Sequence, residues 1–296
     1  MVLFIGSCNG LVCVDFDDTW DEIILWNPST REYKTIPKPP VGDGRVKDII
    51  YGFGYDQKTC DYKLIRVVSY RRYDTDSEVL VYTLGSNSWK KNENIPYNIV
   101  GATVSTKPSN GAVHWVAKKG MNKMDPTKAT KVIVSLDIAE EVTKEIQMPS
   151  CFKTHPVSVE DLGVLGEDLY LSVEDDREDK FDVWVMKEYG VADSWTKMLS
   201  VSREEINWLS PKANYWHSLQ ELEWLSLTPL QLFRKKGEIL FVVECHLGDY
   251  NESSLVSYDQ KNGKVSRISN VQDIPDYFSA ETYVESLVSV NSGEYI

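Results

Sequence analysis

The chain has 296 residues, of which 42% are apolar and 11% aromatic, so it is long enough to bury a large hydrophobic core. Its 45 acidic and 32 basic side chains give a formal net charge of -13, which argues against nucleic acid and membrane as partners and favours a basic protein. The five cysteines form no Cys-x-x-Cys pair and a chain of this size needs no disulfides, so we expect reduced thiols and a cytoplasmic or nuclear location.

Short segments that alternate apolar and polar residues recur in units spaced by roughly fifty residues. The first unit has three such segments, Leu11–Val14, Ile23–Trp26 and Tyr33–Ile36. The second unit contains Gly52–Asp56, Tyr62–Tyr70, Glu78–Leu84 and Trp89–Ile95, and the third contains Ala102–Lys107, Ala112–Ala117, Val132–Ile138 and Val142–Met148. The fourth contains Leu162–Leu165, Asp168–Val173 and 181–198. The fifth contains Leu230–Arg234, Ile239–Glu244, Leu255–Tyr258 and Val265–Ile268.

A last segment, Tyr283–Val290, follows the fifth unit and has no unit of its own. Radially arranged four-stranded units form a β-propeller, and lending the last strand to the first blade removes the exposed sheet edges. The sequence therefore predicts an all-β propeller of five recognisable blades, with a sixth conceivable in 199–229. We expect one domain over residues 1–296, closed by the strand 283–290.

The links between the second and third strands of each unit are longer than the turns between the third and fourth strands. They cover 15–21, 71–77, 118–130, 174–180 and 246–253. In an up-and-down blade these links emerge at one face, where we expect a partner to bind, although charges in loops can also serve only to keep them solvated. The candidate binding residues on these links are Asp17, Asp18, Trp20, Arg71, Arg72, Tyr73, Asp175 and Asp176.

The long connection 201–228 is polar except for four aromatic residues, Trp208, Tyr215, Trp216 and Trp224. Tyrosine and tryptophan are enriched at protein interfaces, but they also anchor long loops onto their own domain. We add these four residues to the candidate binding set and leave both interpretations open.

No arrangement of residues in the sequence is typical of an enzyme. The four histidines lack the spaced companions of a zinc site, and no Gly-x-Ser-x-Gly motif occurs. Gly52-Phe53-Gly54 lacks the third glycine and the helix of a phosphate-binding loop. We therefore expect no catalytic residues, no metal and no cofactor.

Several segments together resemble the F-box-associated domain of plant F-box proteins. They include WNPSTREYKTIP (26–37), YGFGYDQKTCDYKLIRVVSY (51–70), VYTLGSNSWK (81–90), NGAVHWVA (110–117) and VWVMKEYGVADSWTKM (183–198). This family, which includes the S-locus F-box proteins and regulators of immune receptors, carries a kelch-like propeller. The resemblance covers essentially all of residues 3 to 290.

The resemblance implies a substrate receptor of an SCF-type ubiquitin ligase, in which the propeller holds a client protein and an F-box recruits the ligase core. The first blade follows Met1 directly and the F-box is absent from this chain, so the sequence is either a fragment or a product without its ligase adaptor. Two alternatives are a propeller that binds a small ligand or glycan, and a decoy receptor that binds clients without delivering them.

Overall fold

The structure is a computed structural model, and it describes residues 2–16, 22–40, 44–71, 76–120, 129–155, 157–175, 177–207, 224–233, 235–247, 250–268 and 275–291. Within these residues the chain forms five antiparallel sheets of four strands each, and the strands of every sheet are neighbours in sequence order. This arrangement confirms the predicted all-β fold with the five blades of a β-propeller.

The strands are numbered in chain order. Blade 1 contains β1 (Leu3–Cys8), β2 (Leu11–Asp15), β3 (Ile23–Asn27) and β4 (Glu32–Thr35). Blade 2 contains β5 (Val46–Asp56), β6 (Asp61–Tyr70), β7 (Glu78–Thr83) and β8 (Ser88–Lys91). Blade 3 contains β9 (Tyr97–Val104), β10 (Ala112–Lys119), β11 (Thr130–Asp137) and β12 (Thr143–Ile146).

Blade 4 contains β13 (Ser158–Leu165), β14 (Asp168–Asp175), β15 (Lys180–Met186) and β16 (Trp195–Ser202). Blade 5 contains β17 (Trp224–Phe233), β18 (Glu238–Leu247), β19 (Tyr250–Asp259) and β20 (Lys264–Arg267). The described helices are short: α1 spans Arg203–Asn207, and 3-10 turns span Ser150–Lys153 and Ala192–Ser194.

The chain divides into two compact units. The first unit contains Met1–Met148 and Tyr283–Ile296, and therefore blades 1 to 3; the second contains Pro149–Thr282, and therefore blades 4 and 5. Within the first unit one apolar cluster joins blades 1 and 2 and another joins blades 2 and 3. Within the second unit a third cluster joins blades 4 and 5. Because a sheet alone leaves its apolar faces exposed, each blade is stabilised by burying a face against its neighbour.

The first blade differs from the sequence-based expectation of three strands, because Leu3–Cys8 supplies its fourth strand. The register between β1 and β2 shifts between Phe4 and Gly6, which breaks the simple alternation of apolar residues. At Gly6 the backbone passes close to blade 3: an added Cβ would lie 2.7 Å from the carbonyl O of Thr106. A glycine is thus needed at the position where the strand pattern looks weakest.

The C-terminal segment contacts the first blade, but it is not the closing strand predicted over 283–290, because β1 already completes the four-stranded sheet of blade 1 and no named strand lies in 283–290. The Asn27 side chain donates hydrogen bonds from Nδ2 to the carbonyl O of Ser286 at 3.1 Å and to that of Val288 at 2.7 Å. Val288 and Val290 are buried in the cluster that joins blades 1 and 2. Within 283–290 a β-bridge is assigned at Val288 alone, so the segment is held by side-chain hydrogen bonds and by buried valines rather than by a long ladder.

The stretch in which a sixth blade was conceivable is used differently. Its beginning completes β16 and α1, and its end begins β17. Residues 208–223 between them lie outside the described residues.

Candidate functional site

The links between the second and third strands emerge at the sheet edge where the first strand begins and the fourth strand ends. In the structure they connect β2 to β3, β6 to β7, β10 to β11, β14 to β15 and β18 to β19. We call this edge of each blade the link edge. The predicted long link at 246–253 is wrong, because His246 pairs with Asn251 and Leu247 pairs with Tyr250, which leaves a two-residue connection at 248–249. Its polar residues belong to paired strands.

Two of the predicted binding residues have described side chains. Arg71 is exposed, and its backbone N donates to the carbonyl O of Arg45 at 2.9 Å. Asp175 ends β14, where its Oδ1 accepts hydrogen bonds from the backbone N of Arg177 at 3.1 Å and of Glu178 at 3.4 Å. Asp175 therefore shapes its own turn, which is a common role for aspartate.

For the other predicted residues the structure gives little or nothing. Trp224 is the first residue of β17, and its backbone pairs with His246. The remaining positions lie outside the described residues: Asp17, Asp18, Trp20, Arg72, Tyr73, Asp176, Trp208, Tyr215 and Trp216. Their role in binding stays a prediction.

The acidic link of blade 4 is partly neutralised by a basic residue at the start of α1. The Arg203 Nε donates to Asp179 Oδ1 at 2.8 Å, and its Nη2 forms an ion pair with Glu174. Its guanidinium carbon also lies 5.3 Å from the ring centroid of Phe181. Arg203 therefore offsets part of the negative charge that the five acidic residues of 174–180 give this link.

Sequence reasoning missed a cluster of polar side chains where the first strands of blades 4 and 5 are neighbours. Asp161 on β13 follows the register shift between Val159 and Asp161, and such bulges re-aim side chains. Its Oδ2 accepts a hydrogen bond from the Tyr170 hydroxyl at 2.6 Å, and its Oδ1 accepts one from the backbone N of Leu162 at 2.8 Å. Gly163 leaves room for this ring, since a Cβ there would lie 2.5 Å from Tyr170.

Glu244 on β18 and Tyr277 complete this cluster. Glu244 pairs directly with Ser253 on β19. The backbone N of Ser253 donates to the carbonyl O of Asp276 at 2.8 Å, and its Oγ accepts from the backbone N of Phe278 at 3.0 Å. Two hydrogen bonds of Ser253 thus hold both neighbours of Tyr277 beside β19, and Ser253 is the cross-strand partner of Glu244.

Burial raises the pKa of both carboxyls in this cluster. For Asp161, hydrogen bonds from Tyr170 and Thr228 oppose the effect of burial without cancelling it. For Glu244, burial is the main cause and the negative charge of Asp161 is the second. Burial and then the charge of Glu244 also raise the pKa of Tyr277. Within the part of the chain that the structure describes, no basic side chain offsets either carboxyl.

We call Asp161, Glu244 and Tyr277, with the hydroxyls around them, the acidic cluster. The sequence carried one signal for it: Asp161 directly precedes the apolar run that was assigned as a strand, and β13 in fact includes it. An acid inside a strand at the interior of a fold is unusual and points to a specific role.

A second polar network joins blades 2 and 3 and is structural. The Nζ of Lys63, whose side chain is 7% exposed, lies 3.0 Å from Asp56 Oδ2 and 2.9 Å from Glu141 Oε1. It also donates to the carbonyl O of Ile138 at 2.9 Å. Burial opposes ionisation of Asp56, but the hydrogen bond from Lys63 and others outweigh it and lower the pKa of Asp56 to about 2. This network ties two blades together through one lysine.

Neither histidine chemistry nor a metal-binding group emerges from the described ranges. His114 is fully buried in β10, and burial lowers the pKa of its ring to about 3. No group of three or more His, Cys, Asp or Glu side chains that could hold a metal ion is found among the residues given above. In the same residues, no helix combines the length and apolar character that a membrane span requires.

Comparison with known proteins yields one family and several relatives. A family model described as the F-box associated beta propeller domain matches residues 3–290. The F-box protein CPR1 of Arabidopsis thaliana is 29% identical over 305 residues, which cover 96% of this chain and 67% of that protein. Two further relatives come from Arabidopsis thaliana. The F-box protein At3g07870 is 27% identical over 96% of this chain and 69% of its own length. The F-box/kelch-repeat protein At3g23880 is 29% identical over 67% of this chain and 52% of its own length.

The chain thus spans between 52% and 69% of the length of these three relatives. Among solved structures, an oligogalacturonate lyase in complex with manganese has 9% sequence identity and a TM-score of 0.48 over 87% of this chain and 61% of that one. A likeness this weak carries no argument about function.

Proposed function

Because the chain belongs to the F-box associated β-propeller domain family, we propose that it is the client-binding module of an SCF-type ubiquitin ligase. In this proposal the propeller binds a protein and performs no bond-making chemistry, which other subunits of the ligase carry out. The observation that carries it is the family match over residues 3–290, together with relatives named as F-box proteins.

The proposal assigns client binding to the link edge of the blades. Loops on a rigid scaffold commonly carry recognition, because the scaffold fixes their ends while their sequences vary. The formal charge of -13 favours a basic client through long-range attraction. The partner ligase core would be recruited by an F-box outside this sequence, and we expect the complex to act in the cytoplasm or nucleus.

Proximity labelling in plant cells tests the proposal, with the chain as bait and two altered baits for comparison. In the first altered bait, residues 72–75 on the link edge of blade 2 are replaced by glycine and serine. In the second, Gln57 and Lys58, two exposed residues in the turn between β5 and β6 on the opposite edge of the same blade, are replaced in the same way. We expect the unaltered chain and the second bait to recover the same proteins, and the first bait to lose at least some of them.

Each recovered protein must then bind the purified chain directly and become more abundant when the proteasome is inhibited. The complete transcript product as bait should additionally recover ligase core subunits. Clients whose abundance does not respond to the proteasome, or direct binding of a glycan or metabolite to the purified chain when no recovered protein binds it, would contradict the proposal.

A further inference from the structure

The acidic cluster has the composition of a binding site whose positive charge is supplied by another molecule. Asp161 and Glu244 are both half-buried, and β17 connects them: its Thr228 donates a hydrogen bond to Asp161, and its Ser226, two residues earlier on the same face, is the cross-strand partner of Glu244. At this separation their negative charges repel one another. Burying carboxyls near each other without a counter-charge is costly, and proteins retain such arrangements mainly where they serve a function. In the described residues no basic side chain supplies that counter-charge.

An unpartnered hydroxyl provides a second, independent observation. Ser172 on β14 is the direct cross-strand partner of Asp161, so both side chains lie on the same face of the sheet. Ser172 is fully buried, and its Oγ makes no hydrogen bond. Buried hydroxyls nearly always have a partner, so the Ser172 Oγ is available to a hydrogen-bonding group from outside the sheet. A ligand donor that reaches Asp161 would also lie near this oxygen.

The cluster lies in the part of blades 4 and 5 that is nearest to the link edge. Asp161 is the fourth residue of β13, which begins there, and Glu244 is three residues from the end of β18, which ends there. Tyr277 is 37% exposed, so an aromatic ring near Glu244 is open to solvent. The cluster is thus placed where the proposed client would approach.

We propose that Asp161 and Glu244 bind a guanidinium group, presented by the client protein as an arginine side chain. This inference rests on the proposed function, and it names the chemistry that the client must carry. A guanidinium is planar and has five N–H donors, so it can serve two carboxyls and a hydroxyl at once. Its face can also stack on the Tyr277 ring, an arrangement that stabilises cations beside aromatic residues.

The first test uses a short peptide and the complete chain. Acetyl-Gly-Arg-Gly-amide is titrated into the protein and followed by peptide-observed NMR, beside the same peptide with citrulline in place of arginine and beside agmatine as a free guanidinium. Citrulline keeps the shape of arginine and removes its charge. We expect the arginine peptide to bind weakly, the citrulline peptide not to bind, and agmatine to bind no better than the arginine peptide.

Glu244→Gln and Glu238→Gln form the matched pair of variants, since both residues lie on β18 and both are half-buried. Glu244→Gln should weaken binding of the arginine peptide by about tenfold or more, which is the effect of losing one hydrogen bond to a charged group. Glu238→Gln, at the other end of the strand, should leave it unchanged. The midpoint of thermal unfolding of Glu244→Gln should stay equal or rise, because a like charge is removed next to Asp161.

Three outcomes would overturn the inference: equal binding of the arginine and citrulline peptides, no binding of the arginine peptide to the unaltered chain, or unchanged binding by Glu244→Gln. Binding of agmatine alone would show a site for a small organic cation and overturn the client assignment. A lower unfolding midpoint for Glu244→Gln would indicate a structural role. A client captured equally by both variants would refute this site and leave the proposed function intact, whereas peptide binding without any captured client would refute the proposed function alone.

Discussion

Replacing Lys63 by methionine should destabilise the chain strongly, because Lys63 is the shared partner of two carboxylates between blades 2 and 3. The side chains of Lys63 and Asp56 are 7% and 1% exposed, so water cannot solvate the Asp56 carboxylate in place of the lysine ammonium group. Removing one member of a buried ion pair typically costs about 3–5 kcal/mol, because the other charge stays buried without compensation. Lys63→Met should therefore lose a large part of a total stability that is commonly about 5–15 kcal/mol.

Lys90→Met is the matched control, since Lys90 pairs with the same Glu141 at 3.2 Å but its side chain is 71% exposed. Exposed ion pairs contribute about 0–1 kcal/mol, so this variant should unfold almost like the unaltered chain. Urea denaturation followed by circular dichroism gives the free energy of unfolding for all three proteins. A loss in Lys63→Met as small as that in Lys90→Met would refute the assignment of Lys63 as the central residue of this network.

The pH dependence of the same measurement supplies an independent check. The pKa of Asp56 is lowered from its usual 3.8 to about 2 in the folded chain, which corresponds to about 2 kcal/mol. This contribution is complete above the unfolded pKa and is lost as the pH falls from 3.8 towards 2. In Lys63→Met no cation faces the buried carboxyl, so Asp56 is protonated at a higher pH in the folded variant than in the folded unaltered chain. The difference in unfolding free energy between the two proteins should thus be largest near pH 7 and shrink as the pH falls through the acid range towards 2. A difference that stays constant down to pH 2 would contradict the role of Asp56.

Three further predictions concern single side chains. Asn27→Ala removes both hydrogen bonds to the C-terminal segment, so it should cost about 2 kcal/mol and raise hydrogen exchange in residues 283–290, and unchanged exchange would contradict this attachment. Gly163→Ala places a Cβ 2.5 Å from the Tyr170 ring and should cost about 1–3 kcal/mol in urea unfolding, whereas a neutral effect would mean that the ring can move. Burial lowers the pKa of the His114 ring to about 3 in the folded chain, so below pH 6.5 the ring binds a proton in the unfolded chain but not yet in the folded one. Its contribution makes stability decline by about 1.4 kcal/mol per pH unit there, and His114→Phe should remove that slope; an unchanged slope would exclude His114 as its source.

The sequence predicted the blades because their information is local. Alternating strands and tight turns are encoded in neighbouring residues, so β6, β7, β14 and β18 were anticipated close to their observed positions. The strand β1 was missed because its pattern is interrupted at Gly6. A glycine is needed there because the backbone passes close to the carbonyl O of Thr106, which is distant in sequence. The fifth long link was predicted wrongly because residues 246–253 have the polar composition of a loop, although most of them pair as strands.

The candidate site was less accessible to sequence reasoning. Asp161, Glu244 and Tyr277 are far apart along the chain, and no local motif connects them. A bulge and a glycine on β13 and a serine on β19 bring them together. The aspartates and aromatic residues of the links were chosen from composition alone. Composition also concealed Arg203, which lies outside the acidic run 174–180 and pairs with it.

The first strand determines where anything attached ahead of it will emerge. Leu3 pairs with Asp15, the last residue before the link 16–22, so the chain enters blade 1 beside that link. A purification tag or biosensor tether fused at the amino terminus would crowd the loops that the binding assays are meant to test. Surface immobilisation should instead use an engineered cysteine in a turn at the far edge, for example at Ser86, so that the link edge faces the flowing analyte.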